Sequence, residues 1–152
     1  MNGRLIGIAR HDRPKGPMES LAAAVIVPGE GIHGDFRGAL KSGRNRREVT
    51  VMTHEDWTQA AVEANATHID WFERRANLLV EGVMLPREPG ATIHLSGGVV
   101  LEVTGETAPC ERMEALAGGL RAALTPDWRG GVTTIVRNGG PIAVGDDVEC
   151  HE

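Results

Sequence analysis

Cys110 is the residue whose neighbours point most directly to chemistry. The stretch Leu101 to Leu116, L-E-V-T-G-E-T-A-P-C-E-R-M-E-A-L, reads as a strand broken at Gly105, then Thr107-Ala108-Pro109, then an amphipathic helix opened by Cys110. Proline is favoured at the first helical position, and the free backbone N–H groups of a helix start favour an anion such as a thiolate. Cys110 is therefore a candidate reactive sulfur, with Arg112 assisting and Glu106, Glu111 and Glu114 opposing if they lie close. The alternative is a small buried hydrophobe at a strand-to-helix joint. Cys150, between Glu149 and His151-Glu152, offers an internal comparison.

A second cluster is basic. Gly34-Asp35 precedes a loop from Lys41 to Arg47 that carries Arg44, Arg46 and Arg47; glycine lets backbone N–H groups approach a ligand, and arginines can clamp an anion. A solvated loop with a capping aspartate is the competing reading. Further on, Arg74-Arg75-Ala76-Asn77 leads into a strand and forms either a polar rim of a pocket or a plain edge. His33, His54 and His68 share no metal-ligand spacing with one another or with Cys110, so a structural zinc site is not expected.

The elements that must position these residues are short. The 152 residues fit a single domain over 1–152. Twenty Gly and eight Pro, with only 3% aromatic residues, argue for many turns between short strands and a core of Val, Leu, Ile and Ala. Strands are expected at Arg4 to Ala9, Ala22 to Val27, Glu48 to Met52, Leu78 to Val80, Val132 to Arg137, Pro141 to Val144 and Asp147 to Cys150. A hairpin joins Ala91 to Leu95 with Val99 to Thr104 across Ser96-Gly97-Gly98. Thr53-His54-Glu55-Asp56 has the spacing of a capping box and starts a helix; the helix after Cys110 is expected to split at Gly118-Gly119. The fold class is mainly β.

Composition excludes several functions. A net charge of −5 gives no global attraction to nucleic acid or an anionic membrane, so any anion site must be local. Lys15 and Lys41 are the only lysines among 16 cationic residues, and arginine suits forked recognition of phosphate or carboxylate, although codon usage produces the same excess. With no signal peptide, lipidation motif or spanning run, cytoplasmic localisation and two free thiols are expected.

Taken in order, Gly34-Asp35, the Arg-rich loop entering a strand, Arg75-x-Asn77-Leu78, the hairpin before Pro109-Cys110, Arg129-Gly130-Gly131, Asn138-Gly139-Gly140 and Gly145-Asp146 resemble a MOSC domain. This is the C-terminal module of molybdenum cofactor sulfurases, also found alone in many bacteria. The likeness runs from about Gly3 to Val148. It implies a mixed β-barrel with short peripheral helices, of the pyruvate-kinase-barrel type, and a cysteine that carries sulfur as a persulfide or ligates molybdenum in a molybdopterin cofactor.

By that resemblance Cys110 is the catalytic residue, or the metal ligand, and Arg75, Asn77, Gly34 and Asp35 line the cofactor pocket; Arg46 and Arg47 of the basic loop and Arg112 beside the cysteine are further cofactor-binding candidates. The chain has no lysine in a pyridoxal phosphate context and no cysteine cluster for an iron–sulfur centre. A separate cysteine desulfurase or electron donor would then be its partner, with a homo-oligomer left open. Sulfur carriage leads; a small molybdenum-cofactor oxidoreductase for N-hydroxylated compounds and an interaction barrel with a structural cysteine are the alternatives.

Overall fold

A computed structural model describes residues 2–152. The chain enters as β1 (Asn2–Arg10), β2 (Glu19–Leu21), β3 (Ala23–Val27) and β4 (Gly31–Ile32), followed by the four-residue helix α1 (Phe36–Ala39). Then come β5 (Val49–Thr53), α2 (His54–Glu63), β6 (Leu78–Glu81), the hairpin β7 (Thr92–Leu95) and β8 (Val99–Glu106), and the short helices α3 (Glu111–Leu116) and α4 (Leu120–Leu124). The chain closes with β9 (Val132–Asn138), β10 (Gly140–Ala143) and β11 (Asp147–His151). As expected, the fold is mainly β, and the Gly118-Gly119 pair splits the region after Cys110 into two helices.

Seven strands form a closed barrel in the order β11-β7-β8-β9-β5-β6-β1, with β1 returning to β11 through Asn2↔Glu149 and Arg4↔Asp147. The barrel is mixed because β5 and β6 run parallel, joined by α2 as a crossover. Strand β2 pairs with β1 outside the ring, and β10, β3 and β4 form a separate three-stranded sheet. Closure leaves no free edge along the seven strands.

Two apolar layers explain the burial pattern. Leu5, Ile8, Val51, Leu78, Leu101 and Val103 point into the barrel. On the outer face of β5 and β6, Met52 and Leu79 meet Trp57 and Ala60 of α2 and Met113 and Leu120 of α3 and α4. All five residues of β5 are thus buried, as a strand covered on both faces requires. The Thr53 side chain accepts from the Asp56 backbone N–H and starts α2, as the capping-box spacing predicts.

Asn77 fastens the mouth of β6. Its Oδ1 accepts from the Thr50 N–H at 3.0 Å and from the Thr50 hydroxyl at 3.2 Å, and its Nδ2 donates to the Ala9 carbonyl at 3.1 Å. It therefore ties β5 and β1 to the start of β6, and every one of those groups is buried. Asn77→Ala should lower unfolding free energy by about 2–3 kcal/mol, because buried partners lose their hydrogen bonds. Urea denaturation checks this, and a loss under about 0.5 kcal/mol would contradict it.

Candidate functional site

Six cationic side chains converge on Cys110. A cleft of about 390 Å³ is lined by His11, Pro14, Lys15, Phe36, Arg37, Arg47, Arg74, Arg75, Cys110, Arg112 and Met113, with no carboxylate in its wall. Among the described residues, none of these five arginines makes an ion pair within 4 Å. In a protein of net charge −5, this is a strong local concentration of positive charge.

Arg74 lies under the cysteine loop at 5% exposure. Its Nη2 donates to the Thr107 carbonyl at 2.8 Å and to the Gly130 carbonyl at 3.2 Å, while its Nε is buried without a partner. Burial pushes its pKa down to about 10; neighbouring Arg47 acts in the same direction and charge on Cys110 acts against both. A Cβ on Gly130 would sit 2.3 Å from the Thr107 carbonyl oxygen and 2.9 Å from Arg74 Nη2, so only glycine fits there.

Arg75 follows in a left-handed conformation, φ 69°, capping the single helical turn Trp71–Arg74. For a non-glycine residue this conformation costs roughly 1–2 kcal/mol. Its consequence is geometric: consecutive residues of an extended chain face opposite sides, whereas here Arg74 and Arg75 reach the same cleft. Burial lowers the pKa of Arg75, and Arg112 beside it lowers it further. Arg47, half-buried, has an Nε with no partner; its pKa is lowered by burial and then by Arg37, and charge on Cys110 opposes this. Arg47 and Arg74 are thus within electrostatic reach of the Cys110 sulfur.

Cys110 itself is exposed, which removes the reading of it as a buried hydrophobe. It also differs from the sequence expectation in detail. It precedes α3 as an extended residue, φ −125° and ψ −174°, and Pro109 lies outside the helix. With only six residues, α3 is too short to supply a large dipole, and the arginines are the nearer source of positive charge.

The other sequence candidates fall in different places. Arg75, Arg47 and Arg112 join Cys110 in the cleft. Asn77 does not line it, because its amide is spent on Thr50 and Ala9. Arg46 is exposed outside it, with its carbonyl accepting from Thr104 Oγ1. Gly34 and Asp35 line a neighbouring hollow with Asp12, Glu30 and Leu40. The Asp35 carboxylate accepts from the His11 N–H at 3.1 Å and the Gly38 N–H at 2.9 Å and caps α1, as in the alternative reading of that stretch, but it is buried and not solvated.

His11, Lys15, Arg37 and Arg74 were not singled out as site residues by the sequence. His11 is 8% exposed, and its Nδ1 stands 3.5 Å from Asp35 Oδ1 with no hydrogen-bond partner. Burial lowers its pKa, Asp35 opposes this, and Arg75, Arg37 and Arg112 reinforce it. Only Arg74 had a sequence signal, as half of an arginine pair.

The chain is thus a small, closed mixed β-barrel that displays an exposed cysteine in a basic cleft. The model of the MOSC domain family matches residues 40–149, and the chain belongs to that family. Crystal structures of similar fold include the YuaD protein from Bacillus subtilis, at 21% identity and a TM-score of 0.82, covering all of this chain and 97% of that one. YiiM from Escherichia coli is 12% identical with a TM-score of 0.69 over 98% of this chain and 70% of YiiM. YiiM from Geobacillus stearothermophilus is 12% identical with a TM-score of 0.64, over 99% and 73%. No curated protein matches the chain. Among the described residues, no helix is long and apolar enough to cross a membrane.

The two thiols should separate cleanly under alkylation. Cys150 is half-buried on β11 and burial pushes its thiol up to about 11, whereas Cys110 is exposed. Brief iodoacetamide treatment at neutral pH should modify Cys110 and leave Cys150 intact, read by peptide mass mapping; preferential labelling of Cys150 would contradict the placement of both.

Proposed function

We propose that the cleft binds the anionic part of a molybdenum-pterin cofactor and that Cys110 is the residue through which sulfur or the metal is handled. The observation that carries this reading is the set of unpaired arginines around an exposed cysteine, with buried Nε groups on Arg47 and Arg74 that lack partners. Such donors fit a phosphate or a similar oxyanion, which accepts several N–H bonds at once. Arg75 and Arg112 at the rim, with Arg47 and Arg74 deeper, would hold the anionic group. When bound, the cofactor would supply the redox metal and a sulfur-accepting position.

In the sulfur-carrier version, the Cys110 thiolate attacks the outer sulfur of a donor persulfide. A new S–S bond forms to Cys110, the donor S–S bond breaks, and the donor leaves as a thiolate. An acceptor thiolate then takes the outer sulfur by the same exchange, returning Cys110 to its thiolate. Arg47 and Arg74 stabilise the anionic sulfur at each stage by proximity. The donor would be a separate cysteine desulfurase, since the chain has only two cysteines and no pyridoxal-type lysine context.

Two measurements test this. Protein purified from cells that make the cofactor should release fluorescent pterin on denaturation, and Arg75→Ala should weaken binding of the cofactor's anionic group by about 1.5–3 kcal/mol through loss of a charge-assisted hydrogen bond. Incubation with a desulfurase and cysteine should add one sulfur mass that dithiothreitol removes, in the wild type and not in Cys110→Ser. Molybdenum that is retained in the wild type and lost in Cys110→Ser, without sulfur addition, would instead assign Cys110 as the metal ligand of a small oxidoreductase. Neither pterin nor sulfur on the wild type would overturn both versions.

A further inference from the structure

Among the side chains lining the cleft is one imidazole, a group whose charge changes between pH 5 and 8. His11 is that imidazole. We infer that His11, backed by Asp35, is a proton-linked anchor of the anion site, so that a dianion entering among the arginines is held together with one proton taken from solvent onto the His11 ring. The inference rests on the reading of the cleft as an anion site.

The geometry is specific. His11 is nine-tenths buried, lines the cleft, and turns Nδ1 towards Asp35 Oδ1 at 3.5 Å without a hydrogen bond. Asp35 is fully buried and fixed through the His11 and Gly38 backbone N–H groups, so it cannot swing away. The charged groups that face the ring are Asp35 ahead of α1, Arg37 on α1, Arg75 ahead of β6 and Arg112 on α3; Phe36 packs against it with ring centroids 6.0 Å apart.

Burial lowers the pKa of the His11 ring from its ordinary 6.5; Asp35 opposes this and the guanidiniums of Arg75, Arg37 and Arg112 reinforce it. A dianion reverses that balance. It offsets the guanidiniums, and a protonated ring then faces Asp35 on one edge and the ligand's cleft on the other. By linkage, the anion raises the pKa of His11, and lower pH tightens anion binding to the same degree. Each unit by which the anion raises that pKa adds about tenfold to affinity across the window between the free and bound values.

Sulfate is the appropriate probe because it stays a dianion from pH 5 to 8, while phosphate titrates within that range. The six histidines would be followed by NMR against pH with and without saturating sulfate. The His11 midpoint should rise by about one unit with sulfate. Sulfate affinity should be several-fold greater at pH 5.5 than at pH 8 in the wild type, approaching about tenfold only below the free His11 midpoint, and flat in His11→Gln. The wild-type titration needs no substitution, so it stands even if His11→Gln folds poorly.

Sulfate that binds in an Arg75-dependent manner but equally at both pH values, with an unmoved His11 midpoint, would overturn the proton-linked anchor and leave the anion cleft standing. No sulfate binding at either pH would overturn the cleft itself.

Discussion

A buried guanidinium without a counter-ion is the constraint on which the site depends. Arg74 is held beneath the cysteine loop by two backbone carbonyls, Thr107 and Gly130, which belong to segments ahead of α3 and of β9. These bonds satisfy part of its donor fork but leave its charge uncompensated, with Arg47 adding a second charge nearby. Burying an unpaired charge costs several kcal/mol, which the two charge-assisted bonds to carbonyls offset only in part, since Nε is left without a partner. The cleft is therefore pre-organised at the expense of stability, and a bound anion would relieve it. The barrel supplies the rigidity that makes this tolerable: Asn77 locks the start of β6 to β5 and β1 two residues from Arg75.

The same arrangement shows how an acidic protein concentrates positive charge in one cleft. Long-range steering opposes an approaching anion weakly, since the Debye length at physiological salt is about 8 Å. Within the cleft, the arginines act at hydrogen-bond range. That concentration of charge is set by local geometry, with Arg74 and Arg75 brought to one side by the left-handed residue between the single helical turn and β6.

Much of the fold was legible in the sequence because local rules set it. Thr53 and Asp56 mark the start of α2, Ser96-Gly97-Gly98 marks the β7–β8 hairpin, and Gly118-Gly119 marks the break between α3 and α4. Cys110 was found through Pro109, although the helix it precedes proved too short to account for its setting. Arg47 and Arg46 show the limit: adjacent in sequence, they separate into cleft and solvent according to the backbone path alone. His11, Lys15 and Arg37 reach Cys110 from the first 40 residues, and no spacing rule relates them to it. Asn77 was recognised as a polar residue at a strand mouth, but whether its amide faced a ligand or its own backbone depended on Thr50 and Ala9, 27 and 68 residues away.

Whether the arginine cleft around Cys110 receives an oxyanion, as proposed, can be seen in a crystal. Diffraction from crystals soaked in tungstate, a tetrahedral dianion with a strong anomalous signal, tests it most directly. An anomalous peak is expected within hydrogen-bonding distance of Arg75 and Arg47 and beside Cys110, absent from Arg75→Ala crystals. Tungstate bound only elsewhere on the surface, with this cleft empty, would contradict it.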